Sequence, residues 1–297
     1  MQSFTLASLL QIPAFELRAK ILAEGLLTGS QRAKRHGSGA EFVEHRLYTP
    51  GDPLRDIDWK VLGRFDRYYI RKREEEKTLV VWLVIDASHS MNFGERETHK
   101  LSFAVHLAAA LAYFFTQGHH EVGLMLLQGK APEAFIPPRS GQSHLARIFA
   151  SLQGVEAKDT IDFATELQRM AEQKRRSLVF VFSDLLSFDP ETQKPMALMP
   201  LRLLGARGHD VTLFQTLAPE EISFPYQDLC EFEDLEDHQK ILLDAGGLRE
   251  AYQEEMQSFL QEAKNNCEEA NIEHRIAKSD EPLNKILVDF FQARLQR

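Results

Sequence analysis

The chain has 297 residues, 43% of them hydrophobic and 27% charged, and its formal net charge is −9. This composition is ordinary for a globular protein with a core of normal size, and the negative charge argues against a dedicated nucleic-acid binder, because phosphate contacts need a basic surface. Its two cysteines, Cys230 and Cys267, are too few and too far apart for a disulfide framework or a zinc cluster, which favours a reducing compartment.

The N-terminus lacks the basic start and apolar run of a signal peptide. The longest nearly apolar stretch, Phe103–Phe115, is shorter than the ~20 residues that a membrane-spanning helix needs, so it is interpreted as a buried helix. We therefore expect a cytoplasmic protein with no membrane span in this chain and with no nucleic acid as a partner.

Residues 1–76 predict an N-terminal helix followed by an irregular, partly β elaboration that is rich in Gly, Pro, Arg and Asp. Apolar residues at mixed three- and four-residue spacing indicate a helix over residues 4–28, with Gly25 and Gly29 at its end. Short strands are expected at residues 42–48 and 68–72.

Residues 77–297 form the main domain, in which apolar strands alternate with helices. Residues 79–85 are a continuous apolar run, Leu-Val-Val-Trp-Leu-Val-Ile, as a central parallel strand that is buried on both faces requires. This alternation predicts an α/β fold with a doubly wound, mostly parallel sheet. The other expected strands are 122–127, 134–136, 178–182, 210–216, 226–232 and 272–276, and the expected helices are 100–115, 145–152, 163–173, 194–205, 248–270 and 283–295.

Two of these apolar strands end in an aspartate, Asp86 and Asp184. Ligand sites in open α/β sheets form beyond the carboxyl ends of the strands, at a switch in strand order, so two carboxylates there can share one cation. Asp86 is followed by Ser88 and Ser90, and positions i, i+2 and i+4 of a turning loop can direct their oxygens at one point. Carboxylate and hydroxyl oxygens are hard ligands, which suit Mg²⁺, Mn²⁺ or Ca²⁺ better than zinc.

The charge of this loop indicates recognition rather than catalysis. Serine hydroxyls are neutral ligands, so they do not offset the charge of a divalent ion. The ion also keeps an open coordination position, and this position can accept a carboxylate from another protein. In the structural alternative, Asp86 and Ser88 only satisfy backbone groups at a helix start, as N-capping residues do. In the enzymatic alternative, Asp86 is the nucleophile of a metal-dependent phosphohydrolase, but the second acid that such enzymes need two residues later is Ser88 here.

Two stretches of the sequence resemble known families. Val81–Met91 resembles the first metal-site loop of von Willebrand factor A domains, and Arg46–Lys60, which contains Pro-Gly-Asp-Pro-Leu-Arg-Asp-Ile-Asp-Trp, resembles the signature of the bacterial family called domain of unknown function 58. This second resemblance runs from about residue 15 to the C-terminus and implies a von Willebrand factor A-like fold. The residues that extend it are Glu24, Gly25, Leu26, Gly37, Gly39, Arg64, Tyr69, Ile70 and Arg71.

The resemblance also implies further site residues. In the von Willebrand factor A fold, a threonine from a second loop and an aspartate from a third complete the metal site, and Thr160 and Asp184 match these positions. Ser143 is a rival for the threonine position, one helix earlier. Leu185 stands where a glycine commonly follows the aspartate, and Lys158-Asp159 replaces the glycine often found before the threonine.

The family further implies a role, because its members resemble accessory proteins that work with MoxR-type AAA+ ATPases in the maturation or assembly of other proteins. We therefore expect a non-catalytic adaptor that binds Mg²⁺, or else Mn²⁺ or Ca²⁺, and whose partner is such an ATPase or its client. The expected metal ligands are Asp86, Ser88, Ser90, Thr160 and Asp184.

Three residues are candidate contacts for the partner protein. Arg55 and Trp59 belong to types that are favoured as interface anchors, and His89 lies inside the metal loop. Alternatively, Arg55 pairs with nearby carboxylates and holds the irregular segment in place. A binding module that uses no metal at all is the remaining alternative for the function.

Overall fold

The structure is a computed structural model in which the chain divides into two compact units. One unit comprises Met1–Thr28 with Leu79–Arg297, and the other comprises Gly29–Thr78. The first 28 residues, which were expected to belong to the N-terminal elaboration, are grouped with the sheet, and Leu6 and Leu9 are buried in its core. The structure describes residues 3–36, 44–49, 52, 57, 59–65, 67–72, 78–127, 134–158, 167, 168, 170, 175–188, 195, 197–234 and 240–295.

Both units contain strands and helices, and the two kinds of element alternate over most of the larger unit. The strands, in chain order, are β1 (Glu44–Leu47), β2 (Tyr69–Lys72), β3 (Val80–Asp86), β4 (Glu121–Leu127), β5 (Ala134–Arg139), β6 (Leu178–Ser183), β7 (Asp210–Leu217), β8 (Leu229–Glu233), β9 (Lys240–Asp244) and β10 (Glu273–Lys278). The helices are α1 (Leu6–Leu10), α2 (Phe15–His36), α3 (Trp59–Phe65), α4 (Lys100–Gln117), α5 (Gln142–Gln153), α6 (Leu198–Ala206), α7 (Pro219–Ser223), α8 (Ala245–Glu269) and α9 (Leu283–Leu295), and a 3-10 helix covers His89–Asn92.

The larger unit is built on a six-stranded sheet with the strand order β10-β7-β6-β3-β4-β5. All neighbouring strands in it are parallel except β4 and β5, which are antiparallel. The chain passes from β3 to β4 on one side and from β6 to β7 on the other, so the switch in strand order lies between the adjacent strands β3 and β6. The predicted α/β, doubly wound, mostly parallel sheet is thereby confirmed.

Helices cover both faces of this sheet. On β3, Val81, Leu83 and Ile85 face a core that also holds side chains of α1, α2, α4, α5 and α9. The alternate residues of the same strand, Trp82 and Val84 among them, face a second core with side chains of α6 and α8. Every residue of β3 is buried, which explains why its sequence is apolar without alternation.

The structure differs from the sequence-based prediction near the N-terminus. The single expected helix is two helices, α1 and α2, separated by residues 11–14; Pro13 lies in this break and has no N–H to donate to a helix. α2 also continues past Gly25 and Gly29, the two glycines expected to end it. The expected helix at 163–173 falls largely outside the described residues.

Two further pairs of strands in the described part of the chain each form a two-stranded sheet of their own. β1 pairs antiparallel with β2 in the smaller unit, and both strands were predicted. β8 pairs antiparallel with β9, and β9 was not predicted, nor was α3. Among the described residues, no helix is long and apolar enough to cross a membrane.

Candidate metal site at the switch in strand order

Asp86, the last residue of β3, is fully buried at the carboxyl edge of the sheet. Its Oδ1 accepts a 2.9 Å hydrogen bond from the backbone N–H of Ser88. Its Oδ2 accepts a 2.6 Å hydrogen bond from the hydroxyl of Ser183, the last residue of β6. The carboxylate is thus fixed from both its own loop and the neighbouring strand, and one further lone pair on each oxygen can face a ligand.

Ser88 and Ser90 are also buried, and their Oγ atoms lie 3.0 Å apart. Ser88 precedes the 3-10 helix, but its side chain makes no capping hydrogen bond to that helix. The buried side chain of Met91 anchors the loop in the core. The N-capping alternative is therefore met only in part: Asp86 does accept a backbone N–H, whereas the Ser88 hydroxyl caps no helix and lies within hydrogen-bond distance of the Ser90 hydroxyl.

Asp184 follows β6 directly and is fully buried. Its Oδ1 accepts a 3.0 Å hydrogen bond from the backbone N–H of Leu186, and its Oδ2 accepts a 2.7 Å hydrogen bond from Nζ of Lys100. Leu185 between them has φ = 63°. The left-handed conformation that a glycine favours at this position is therefore adopted by a leucine, so the loop keeps its turn although the residue type departs from the family pattern.

Lys100 and Glu221 join this region of the structure, and neither was predicted from the sequence. Lys100 is the first residue of α4 and is fully buried, and its Nζ lies 2.6 Å from Oε1 of Glu221 in α7. The other oxygen of Glu221 accepts a 2.7 Å hydrogen bond from the backbone N–H of Ala218. One sequence signal pointed to Lys100: a lysine is unfavourable at a helix N-terminus, where the helix dipole is positive, so its presence there needs another reason.

The electrostatics of the site follow from burial and from the excess of carboxylates. Burial raises the pKa of Asp86 to about 7, the negative charge of Asp184 raises it as well, and the hydrogen bonds from Ser183 and Ser88 oppose this shift. Burial by itself lowers the pKa of Lys100, but the charges of Asp184 and Glu221 outweigh burial and raise it. Lys100 is therefore a permanent ammonium, and its charge is taken up by Asp184 and Glu221.

Four other residues were predicted for the site or for the partner contact, and the structure describes two of them, His89 and Trp59. Thr160 lies outside the described residues; two residues before it, the N–H of Lys158 donates a 2.9 Å hydrogen bond to the carbonyl of Ala87 in the site loop. His89 is half-buried. Arg55 also lies outside the described residues. Trp59, at the start of α3 in the smaller unit, is 63% exposed.

The donor set fits a hard divalent cation. The side chains of Asp86, Ser88, Ser90 and Asp184 offer oxygen atoms only, and among the described residues no cationic side chain offsets the charge of Asp86. No group of three or more His, Cys, Asp and Glu side chains in the described part of the chain is arranged to hold a metal ion. The fit therefore depends on the two hydroxyls as well as on the carboxylates.

Solved structures with a similar fold were found at low scores. The protein BatB from Bacteroides thetaiotaomicron gives a TM-score of 0.48 at 14% identity and covers 74% of this chain and 100% of its own. An aerotolerance-related membrane protein from Bacteroides fragilis gives 0.46 at 15% identity, covering 72% and 99%. The SpRpn10 VWA domain gives 0.38 at 12% identity, covering 71% and 94%. These similarities are distant. The fold is assigned from the strand order and register of this chain's own sheet.

Sequence comparison gives a closer relationship. "Uncharacterized protein Rv1480" of Mycobacterium tuberculosis and "Uncharacterized protein Mb1516" of Mycobacterium bovis are each 31% identical to this chain over 215 residues. The match covers 71% of this chain, which spans 65% of the length of these curated relatives. Residues 44–262 match the family described as "Protein of unknown function DUF58". The chain belongs to the DUF58 family.

Proposed function

We propose that this chain is a non-catalytic adaptor that binds a partner protein through a divalent cation held beyond the ends of β3 and β6. One observation carries the proposal: the buried Asp86 carboxylate has no cationic partner among the described residues and lies in one loop with the paired hydroxyls of Ser88 and Ser90. A buried carboxylate that is hydrogen-bonded but has no cationic partner is still costly, and a bound cation lowers that cost.

The proposed ligands are Asp86, Ser88 and Ser90, with Asp184 beside them and Thr160 as the residue that the family resemblance adds. Mg²⁺ is the expected ion, with Mn²⁺ or Ca²⁺ as substitutes, because all these donors are hard oxygens. A bound ion with two neutral serine ligands keeps an open coordination position, and a carboxylate of another protein can bind there as a further ligand.

The proposed partner is a MoxR-type AAA+ ATPase or its client, in protein maturation or assembly. This part rests on the family resemblance alone. We place the interaction in the cytoplasm, a reducing compartment, because Cys230 and Cys267 are both free and Cys267 is buried.

The metal is tested by calorimetric titration of the protein with Mg²⁺ and Mn²⁺. We expect saturable binding by the native protein and no binding by Asp86→Ala. Glu254→Gln, which removes an exposed carboxylate from α8, is the matched control and should bind as the native protein does. If the native protein and Asp86→Ala give the same heats, the chain is a metal-free module and the proposal is wrong.

The partner is tested by capture of a purified MoxR-type ATPase from the same cell. We expect capture in Mg²⁺, loss of capture in EDTA, and loss with Asp86→Asn, whose side chain has nearly the same shape. Capture that is indifferent to both changes contradicts recognition through the metal. Hydrolysis of an aryl phosphate that needs both Mg²⁺ and Asp86 would assign the chain to the phosphohydrolases instead.

A further inference from the structure

The ammonium of Lys100 lies between two carboxylates. Its Nζ is 2.7 Å from Oδ2 of Asp184 and 2.6 Å from Oε1 of Glu221, and the lysine side chain is fully buried. The ring centroid of Phe93 lies 5.6 Å from the same nitrogen. Because distances of this kind are those of charge-assisted hydrogen bonds, all three groups are held in fixed positions.

Burying an ammonium with two carboxylates costs free energy of desolvation, and a helix can be held against a sheet without that cost. Replacing such a group by apolar residues of similar volume is often neutral or stabilising, so packing alone does not account for it. The location of this charged cluster indicates a role besides packing. One of its carboxylates is Asp184, which directly follows β6 and whose charge acts on the proposed ligand Asp86 at the end of the neighbouring strand.

Among the described residues of this region, four that carry a charge when ionised are buried. Asp86, Asp184 and Glu221 bring three negative charges when ionised, and Lys100 brings one positive charge, which leaves a net charge of −2 on this buried cluster. A divalent ion neutralises this charge completely. A site without Lys100 would carry −3, and a site without Glu221 would carry −1.

We propose that Lys100 and Glu221 are specificity-determining residues of the cation site, which do not coordinate the ion but set at −2 the charge that it meets. Lys100 also orients Asp184, because its Nζ donates a hydrogen bond to Oδ2 while the N–H of Leu186 donates one to Oδ1. The site thereby favours a trivalent ion less than a site of charge −3 would, and a divalent ion balances its charge. This inference rests on the proposed function, whose ion it concerns.

The test compares cation affinity in four proteins: native, Lys100→Met, Glu221→Gln and the double variant Lys100→Met/Glu221→Gln. The double variant restores the net charge of −2 without either charged side chain. Mg²⁺ is titrated by calorimetry at pH 8 in two buffers of different ionisation enthalpy, which counts any proton that the carboxylates release on binding. Tb³⁺ luminescence reports the trivalent ion. Circular dichroism confirms that each variant is folded.

We expect Lys100→Met to bind Mg²⁺ about tenfold more tightly than the native protein, or to release a proton that the native protein does not, with a larger gain for Tb³⁺. Glu221→Gln should bind Mg²⁺ about tenfold more weakly. The double variant should lie within about threefold of the native protein. A structural ion pair without this role would leave the affinity of every folded variant unchanged.

The matched controls come from the ion pair of Lys285 and Glu281, whose side chains are 61% and 34% exposed and whose charged atoms lie 3.8 Å apart. Lys285→Met, Glu281→Gln and their combination make the same changes in total charge, and all should bind as the native protein does. If Lys100→Met does not fold, the difference between Glu221→Gln and the double variant still decides the question.

The outcomes separate this inference from the proposed function. If the native protein binds Mg²⁺ and the folded variants at Lys100 and Glu221 bind it equally well, the function stands and the inference is wrong. If only Lys100→Met binds, Lys100 does set the charge of the site and the native protein is not a metal-dependent adaptor. If none of the proteins binds a cation, both are overturned.

Discussion

The hydroxyl of Ser183 donates a 2.6 Å hydrogen bond to Oδ2 of Asp86, so the last residue of β6 holds the last residue of β3. Both side chains are fully buried, and the same hydroxyl oxygen accepts the N–H of Leu185 at 3.0 Å. One small side chain therefore fixes the proposed ligand and the loop that carries Asp184.

Ser183→Ala should lower the free energy of unfolding by about 1–3 kcal/mol, because it leaves a buried carboxylate oxygen and a buried N–H without their partner. Urea denaturation measures this change. Ser187→Ala is the matched control: the Ser187 hydroxyl is buried and has no hydrogen-bond partner among the described residues, so its removal should be neutral or slightly stabilising. Equal losses in the two variants contradict the prediction.

Leu185→Gly should have opposing effects that can be separated. The glycine relieves a left-handed conformation that costs a leucine about 1–2 kcal/mol, but it also removes a buried side chain, a loss of about 2–5 kcal/mol. We expect net destabilisation by about 1–3 kcal/mol in urea denaturation. Cation affinity should change less than threefold, because the turn is the same with either residue; a tenfold gain would show that leucine distorts the site.

His106 should make the protein sensitive to acid. Its Nε2 lies 3.3 Å from Nη1 of Arg18, which can only donate, so Nδ1 carries the proton and donates to the Ser102 carbonyl at 2.6 Å. Burial lowers the pKa of His106 to about 4, the Ser102 carbonyl opposes this shift, and the charge of Arg18 adds to it. The folded protein therefore holds the neutral ring, while the unfolded chain takes up a proton below pH ~6.5.

The sign follows from this difference in proton uptake. The stability from His106 is complete above pH ~6.5 and is lost as the pH falls towards 4, by up to about 3 kcal/mol. His106→Gln should show a shallower decline of unfolding free energy over this range, by up to about 1.4 kcal/mol per pH unit. His274, whose pKa burial also lowers to about 4, keeps part of the decline in the variant. Identical pH profiles would contradict the assignment.

His119→Gly should stabilise the protein by about 1 kcal/mol. His119 follows the end of α4 with φ = 57°, and its side chain is exposed. A glycine adopts this conformation without the steric penalty that a histidine meets, and no buried contact is lost. Thermal unfolding measures the gain, and His119→Ala, which keeps the penalty, should not show it. A lower melting temperature for the glycine variant would contradict the prediction.

The sequence predicts the sheet well because its strands carry a strong local signal. β3, β6 and β7 are buried on both faces, and this requirement leaves continuous apolar runs that can be recognised without any partner. Asp86 and Asp184 are found by the same reasoning, since they end two of those runs. The rule that ligands lie at the switch in strand order then places both of them at one edge.

The pair of Lys100 and Glu221 could not be predicted in this way. Lys100 contacts Asp184 across 84 positions of sequence and Glu221 across 121 positions, and no local pattern encodes a contact over such a separation. β9 was missed for a related reason: it pairs only with β8 in an exposed hairpin, and its largely exposed residues lack the apolar run of a core strand.

Asp86 is the last residue of β3 and Asp184 directly follows β6, and each of these two strands has a hydrogen-bonded neighbour on either side, whereas β5 and β10 are the edge strands of the sheet. The proposed cation site is therefore separated from both edges of the sheet. Edge strands can be lengthened, shortened or changed in charge without moving the ends of β3 and β6. The proposed adaptor could thereby change the surface that selects its partner and keep its cation site.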